Sequence, residues 1–374
     1  MTSPFAPIAR AVRGGRTESW HAGVAAVVTP DGRRVARLGD PATATFLRSA
    51  AKPFQAMALL VAGGEEAFGL GDADVALACA SHGGTPAHAE RAASMLERGG
   101  FGPDELLCGA HAPLDATAAR ELQATGRKPT ALHNNCSGKH AAMLLACRLR
   151  ELPAAGYDAP DHPLQRENRE RIARLCGVPE RELPVALDGC SVPTVHVPVA
   201  GAARAWAALA DPEAAGLGDT EAAAARRVIR AMAAEPAMVA GPGRFTTRLI
   251  EATGGRVIGK EGAEGVYAVA VRGPAALGLA LKVADGGERC RDGVVLEFLR
   301  MTGSLSGEEL ERLEAFHRPE RRNHRGLLVG RIEPVPELVA WPPDGPIPGE
   351  PPVEVEEAAG LARSGGRTSG EPPR

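Results

Sequence analysis

Lysine is scarce in this chain. Of its 43 basic residues only five are Lys, at positions 52, 128, 139, 260 and 282, and the rest are Arg. Arg stays protonated inside proteins, whereas a buried Lys can become a neutral amine that serves as base, nucleophile or metal ligand. The positions that keep Lys are therefore enriched candidates for amine chemistry. The chain also has no Cys-x-x-Cys pair. Its seven cysteines, an odd number, fit free thiols in a reducing compartment better than a disulfide framework. No apolar run approaches the ~18 residues of a membrane span. The longest, near residues 56–62 and 141–147, have the length of core helices. The first twenty residues hold no apolar run of the signal-peptide kind, so the cytoplasm is the expected compartment. Net charge is only −3, and no long basic stripe occurs, which argues against a dedicated nucleic-acid binder. A Gly-x-Ser-x-Gly elbow is absent, which removes the usual α/β-hydrolase reading.

What is present describes an ordinary globular chain of 374 residues, 44% hydrophobic and 24% charged, long enough to bury a sizeable core. Residues 23–29 (GVAAVVT) read as a strand, and Asp31-Gly32 turns the chain into a second at 34–38. A late pair of strands is expected at 266–271 (VYAVAV) and 277–283 (LGLALKV), turning at Gly273-Pro274. Helical spacing dominates between them, at 54–61, 86–97, 141–151, 163–175 and 221–234, and returns at 292–301. Strands at both ends of a helix-rich middle predict one α+β domain over residues 1–345, with a helical subregion at about 50–255 and an antiparallel sheet drawn from both chain ends. Repeated prolines and a Gly/Ser/Arg tail predict disorder over 346–374.

Five segments carry chemistry. In Arg48-Ser49-Ala50-Ala51-Lys52-Pro53, the Ser and Lys stand three apart, one helical turn. A hydroxyl is a poor nucleophile until a base takes its proton, and a desolvated lysine can be that base. Cys79-Ala80-Ser81-His82-Gly83-Gly84 reads either as a backbone that approaches a ligand closely or as a plain Gly-rich turn capping the next helix. His133-Asn134-Asn135-Cys136-Ser137-Gly138-Lys139-His140 is dense in groups that bind metals or polarise carbonyls. It is not a phosphate loop, because position 140 is His and position 133 is not Gly. Asp188-Gly189-Cys190-Ser191-Val192-Pro193 marks a tightly shaped loop whose cysteine either joins Cys136 in a soft metal site or is simply buried. Finally, Gly259-Lys260-Glu261-Gly262-Ala263-Glu264-Gly265 is expected to be a glycine-rich loop leading into the late hairpin.

Taken in order, R-S-x-x-K-P-F-Q, A-S-H, N-N-C-S-G-K-H, D-G-C-x-x-P-T and G-K-x-G-A-E-G-V resemble the asparaginase II family, the thermolabile Rhizobium-etli-type L-asparaginases. The resemblance runs from about Arg10 to Arg300, and His162-Pro163-Leu164-Gln165 also fits it. It implies a serine β-lactamase-like fold and hydrolysis of L-asparagine, a small-molecule substrate, to L-aspartate and ammonia. It implies two Ser–Lys pairs, Ser49 with Lys52 and Ser81 with Lys260. It implies a zinc site at Cys136, Lys139 and Cys190, and substrate contacts around Arg48, His82, Asn135, His140 and Asp188. It further implies a homodimer. In this reading Ser49 attacks the side-chain amide to give a β-aspartyl ester, and the metal orients the substrate. Alternatives are a Ser–Lys hydrolase of glutamine or a β-lactam-like donor, or a non-catalytic zinc or thiol sensor. The chain departs from the family pattern at Gly83, where Ser is usual, at Ser191, where Gly is usual, and at Thr246, where Asp is expected.

Overall fold

The computed structural model describes residues 3–340, so the tail expected from residue 346 lies outside the described residues. The fold is α+β. Strands β1 (Ala6–Arg13), β2 (Arg16–Val28) and β3 (Arg34–Leu38) open the chain, and a short β4 (Ala44–Phe46) follows. The middle is helical except for β5 (Val185–Leu187) and β6 (Pro193–Pro198). Strands β7 (Val257–Gly262), β8 (Val266–Val271) and β9 (Leu277–Val283) come next, and β10 (Glu320–Arg322), β11 (Leu328–Pro334) and β12 (Val339–Ala340) close the described chain. The main sheet runs β10-β11-β1-β2-β9-β8-β7, with β3 pairing β2 and β12 pairing β3. All its pairings are antiparallel. Both chain ends supply it, as the strand pattern predicts.

The central strands are apolar on both faces because helices cover both. Val24, Ala26 and Val28 of β2 pack with Ala268, Ala270 and Ala280 beneath the large helical layer. Their neighbours Ala25 and Val27 pack with Val269, Leu279 and Leu281 against the helix Arg291–Met301 on the other side. That is the two-residue alternation of a strand with each face buried. It explains why VYAVAV shows no polar face.

The expected helices form, with shifted ends: Lys52–Val61, Pro86–Arg98, Ser137–Leu149, Pro163–Cys176, Asp219–Ala234 and Arg291–Met301. The helices Asp72–Ala78 and Val199–Ala210 were not legible in the pattern. The second is Ala-rich and almost wholly buried, so it has no polar stripe to mark its period. One expectation is corrected. Residues 257–262 form strand β7, all six residues buried, and the turn is confined to the residues after Gly262. Lys260 is thus fixed in a sheet and not carried on a loop.

Trp206 anchors the helical layer to the turn that bears Ser49. Its ring is fully buried, meets Phe54 edge-on at 6.1 Å, and donates from Nε1 to the Ala50 carbonyl at 3.2 Å. A buried indole normally finds such a partner, and here the partner is backbone beside the candidate nucleophile.

Candidate active site

Five pieces of chain meet where the helical layer faces the β7 edge of the sheet. The first is the 3-10 turn Arg48–Ala51, which runs directly into the helix Lys52–Val61. Arg48 has φ +50, a left-handed conformation that is unusual for a residue other than glycine. The turn is held by Arg48 N–H donating to Thr194 Oγ1 at 3.2 Å and by Arg48 Nε donating to Asp188 Oδ1 at 2.7 Å. Ser49 follows this strained residue. It is partly exposed, and its Oγ makes no hydrogen bond among the described residues. Backbone strain held in place by surrounding contacts is typical of functional sites.

Lys52 is buried, with 1% of its surface exposed. Its Nζ donates to the Ala80 carbonyl at 2.5 Å and to Ser81 Oγ at 2.9 Å, and lies 3.5 Å from the Asn135 carbonyl. The pairing therefore crosses the one the resemblance implies: the lysine of the first motif binds the serine of the second. Ser81 follows the helix Asp72–Ala78 and is nearly buried. Gly84, three residues on, has φ +72, and a Cβ there would sit 2.6 Å from the His133 carbonyl, so only glycine fits this approach.

Lys260 is completely buried on β7. Its Nζ donates to the Glu261 carbonyl at 2.9 Å and lies 3.3 Å from Glu261 Oε1. Burial, with the positive charges of Lys52 and Arg244 added, lowers its pKa to about 7 against the pull of Glu261. Glu261 goes the other way. Although burial raises it, Lys260 and Arg244 hold its carboxyl down at about 2. Two buried lysines within electrostatic reach of one another are a known means of keeping one amine uncharged near neutrality.

A second cluster adjoins the first. Lys139 Nζ donates to Cys190 Sγ at 2.9 Å. Cys136 lies against the same sulfur, and hydrogen bonding from Cys190 holds the Cys136 thiol well below its usual range, while Cys190 is pushed up. Burial would lower Lys139, but the Cys190 and Cys136 sulfurs hold it above the usual lysine range. His140 Nδ1 pairs with Tyr157 Oη at 2.7 Å, and its Nε2 is buried with no hydrogen-bond partner. Burial takes His140 down to about 4, so the ring is neutral at pH 7. Asp188 stays ionised: burial raises it, but Lys139 and Arg48 outweigh that.

The structure thus joins Lys52 to Ser81, Arg48 to Asp188, and Lys139 to Cys190, with Cys136 and His140 beside that sulfur. His82 behaves differently. It is fully buried, its Nδ1 accepts from Gly84 N–H at 3.1 Å, and its Nε2 meets Ser137 Oγ at 3.0 Å. Its ring stacks on His88 at 4.7 Å. With both nitrogens engaged inside the protein, His82 ties the Ser81 loop to the Ser137 segment. Asn135 has its backbone N–H bonded to His111 Nε2 at 3.1 Å, and its Oδ1 lies 3.3 Å from the same nitrogen. His111, Tyr157 and Arg244 were not singled out from sequence. Arg244 donates to the Ser81 carbonyl at 3.2 Å. Such single residues lie in no dense motif, and only the fold brings them in.

A family model described as L-asparaginase II matches residues 9–334. The chain belongs to the L-asparaginase II family. No curated protein matches it. Among solved structures, that of Mglu in its native form is similar at 16% identity, covering 76% of this chain and 65% of its own, with a TM-score of 0.41. Mglu in its glutamate form is 18% identical over 75% of this chain and 61% of its own, with a TM-score of 0.39. The chain spans less than two thirds of the length of these structures. For this L-asparaginase II family member, among the described residues, no three His, Cys, Asp or Glu side chains group to hold a metal, and no helix is long and apolar enough to cross a membrane. The sulfur cluster instead brings together the thiols of Cys136 and Cys190 and the Lys139 amine, soft sulfur and nitrogen donors of the kind zinc takes.

Proposed function

We propose that the chain is an L-asparagine amidohydrolase that works through a serine ester. The observation that carries this is the buried hydrogen bond between Lys52 Nζ and Ser81 Oγ, 2.9 Å long, one helical turn from the partly exposed Ser49. An amidohydrolase of the asparaginase type is the coarse reading that family membership supports. The Ser–Lys route and the choice of asparagine are our own.

Ser49 Oγ attacks the carbonyl carbon of the side-chain amide. Its proton passes to the amine system formed by Lys52, Ser81 and Lys260, and from there to the leaving nitrogen, which departs as ammonia. Water then adds to the β-aspartyl ester, releases aspartate and returns the proton to Ser49. Lys260, lowered to about 7, is the lysine best matched to accept a proton at neutral pH. Arg48 and Asp188, paired at 2.7 Å, flank the serine and offer opposite charges to the α-groups of an amino acid. His82 is read as holding the Ser81 loop in place. Cys136, Lys139 and Cys190 would hold zinc, with His140 Nε2 alongside. Bound there, the ion supplies positive charge that helps orient the substrate. We also read the fold as serine β-lactamase-like, supported by a Ser-x-x-Lys turn in the helical layer facing a lysine on the terminal strand of an antiparallel sheet.

Ammonia release from L-asparagine and L-glutamine, compared with zinc supplied for the parent and for Ser49→Ala, tests the proposal. The expected result is release from asparagine that disappears in the variant. Release from neither amide, or unchanged release after Ser49→Ala, overturns it.

A further inference from the structure

Successive side chains on a strand point to opposite faces of the sheet. In β7, Lys260 pairs in register with Ala268, whose side chain packs beneath the helical layer. Glu261 pairs with Tyr267, which packs on the other face. Lys260 Nζ and Glu261 Oε1 nevertheless lie 3.3 Å apart. β7 is the end strand of the sheet, and the two side-chain ends come together there. The amine also bonds the Glu261 carbonyl at that edge.

The carboxylate is held from behind. Thr246 Oγ1 donates to Glu261 Oε2 at 2.8 Å and lies 2.8 Å from Tyr267 Oη. A carboxylate only accepts, so the threonine proton goes to Glu261 and the tyrosine proton goes to the threonine. The Arg291 guanidinium lies over the Tyr267 ring, 5.6 Å from its centre. Oε1, by contrast, is buried without a hydrogen-bond partner. Facing it are Lys260 and, at 3.8 Å, the Arg244 guanidinium. A buried ion pair of this kind is a poor device for stability, because desolvating both charges offsets their attraction.

We propose that Glu261 is a positioning residue for Lys260: it fixes the amine at the edge of β7 and supplies the negative charge that balances it beside Lys52 and Arg244. This rests on the reading of Lys260 as part of the amidohydrolase machinery. The groups that face Lys260 are Lys52 from the first helix, Cys79 from the end of Asp72–Ala78, Arg244 ahead of the helix Phe245–Ala252, and Glu261 itself. Behind Glu261 stand Tyr267, Arg291 and Asp292. Arg227, on the helix Asp219–Ala234 that also packs near β7, is engaged by Glu65 and Asp72. Three of the four groups facing Lys260 are thus a cation, a cation and a burial-raised thiol, and Glu261 is the sole anion among them.

The small lysine count makes a direct test practical. The full chain is labelled with ¹³C at the lysine ε-carbons, giving five signals, and Lys260 is assigned by loss of its signal in Lys260→Met. Its titration midpoint is then compared in the parent, Glu261→Gln and Glu261→Asp. Loss of the carboxylate should lower the midpoint by about one pH unit or more, as expected for an opposite charge within ~4–6 Å. Aspartate should restore part of the shift. The acid limb of the pH–rate profile for ammonia release should move to lower pH by the same amount. A Lys260 midpoint that does not move in a folded Glu261→Gln protein overturns the proposal whatever its activity. Should the Gln variant not fold, an Asp variant with the midpoint of the parent and an unchanged acid limb also overturns it, since the shorter side chain withdraws the charge. A midpoint that moves while the acid limb stays fixed upholds the role of Glu261 and removes Lys260 from the catalytic reading.

Discussion

Replacing Lys52 by methionine separates chemistry from architecture at the centre of the site. Methionine has nearly the same length, so the buried volume is kept while the donors are lost. The Ala80 carbonyl, now bonded at 2.5 Å, loses its partner, as does Ser81 Oγ at 2.9 Å. The hydroxyl can rotate to another acceptor, but the buried carbonyl cannot. One buried group left unsatisfied costs about 1–3 kcal/mol. An unfolding entropy of roughly 2.1 cal/mol/K per residue converts that into a fall in Tm of about 1–4 °C for a chain of this size. The catalytic loss should be far larger, about 10²–10⁴-fold, the range for removing a positioned proton-transfer group. Circular dichroism melting and initial-rate ammonia release on the same preparation measure the two effects. If the folded variant retains activity within about tenfold of the parent, below the range for such a group, Lys52 is not part of the proton path and the mechanism is wrong.

Three further outcomes follow from the geometry. Cys190→Ala removes the sulfur on which Cys136, Lys139 and His140 converge, so the purified variant should carry far less zinc than the parent by elemental analysis. Equal zinc in both would place the metal elsewhere. Lys260 titrates near 7 in the folded chain against an ordinary value of 10.5, so between these values the unfolded chain holds more protons and stability should climb as pH rises. Lys260→Met should flatten that climb in Tm, and an unchanged slope would refute the burial argument. Ser191 has φ +73, so Ser191→Gly should relieve local strain and raise stability by about 1 kcal/mol, net of the greater freedom of glycine when unfolded. A lower Tm would show that the serine side chain has a role there.

The segments that carry the chemistry were legible because each compresses several reactive side chains into a few residues. Ser49 and Lys52 could be placed one helical turn apart, and Cys136 could be associated with Cys190, from sequence. The partner of Lys52 could not, because helix spacing says nothing about a hydroxyl 29 residues away that the fold brings to 2.9 Å. Residues 257–262 were misjudged for a related reason: two glycines and a Lys-Glu pair look like a loop until pairing with β8 buries them all. The late strands were clear as short, continuous apolar runs separated by a Gly-Pro turn. Strand β1 was not, since its Arg10, Val12 and Arg13 disguise the period, and its partner β11 lies at the far end of the described chain. The hydrogen bonds of His82 to Ser137 and Gly84 could not be read from sequence either, since only the fold brings Ser137 to it.

The sheet drawn from both ends also sets a timetable for the newborn protein. Val24 of β2 is destined to pair with Lys282 of β9, and Arg10 of β1 with Glu333 of β11, a partner 323 residues later. At ~5–20 residues per second, a ribosome needs roughly 15–65 s to supply these last strands. Throughout that interval the Val24–Val28 end of β2, apolar on both faces, has no β9 to pair with, the kind of open strand edge that invites stray association. Lys52, Ser81, Cys136 and Cys190 all leave the ribosome well before Lys260. The amine and thiol half of the site can gather first, and the strand that completes it arrives only when the sheet closes.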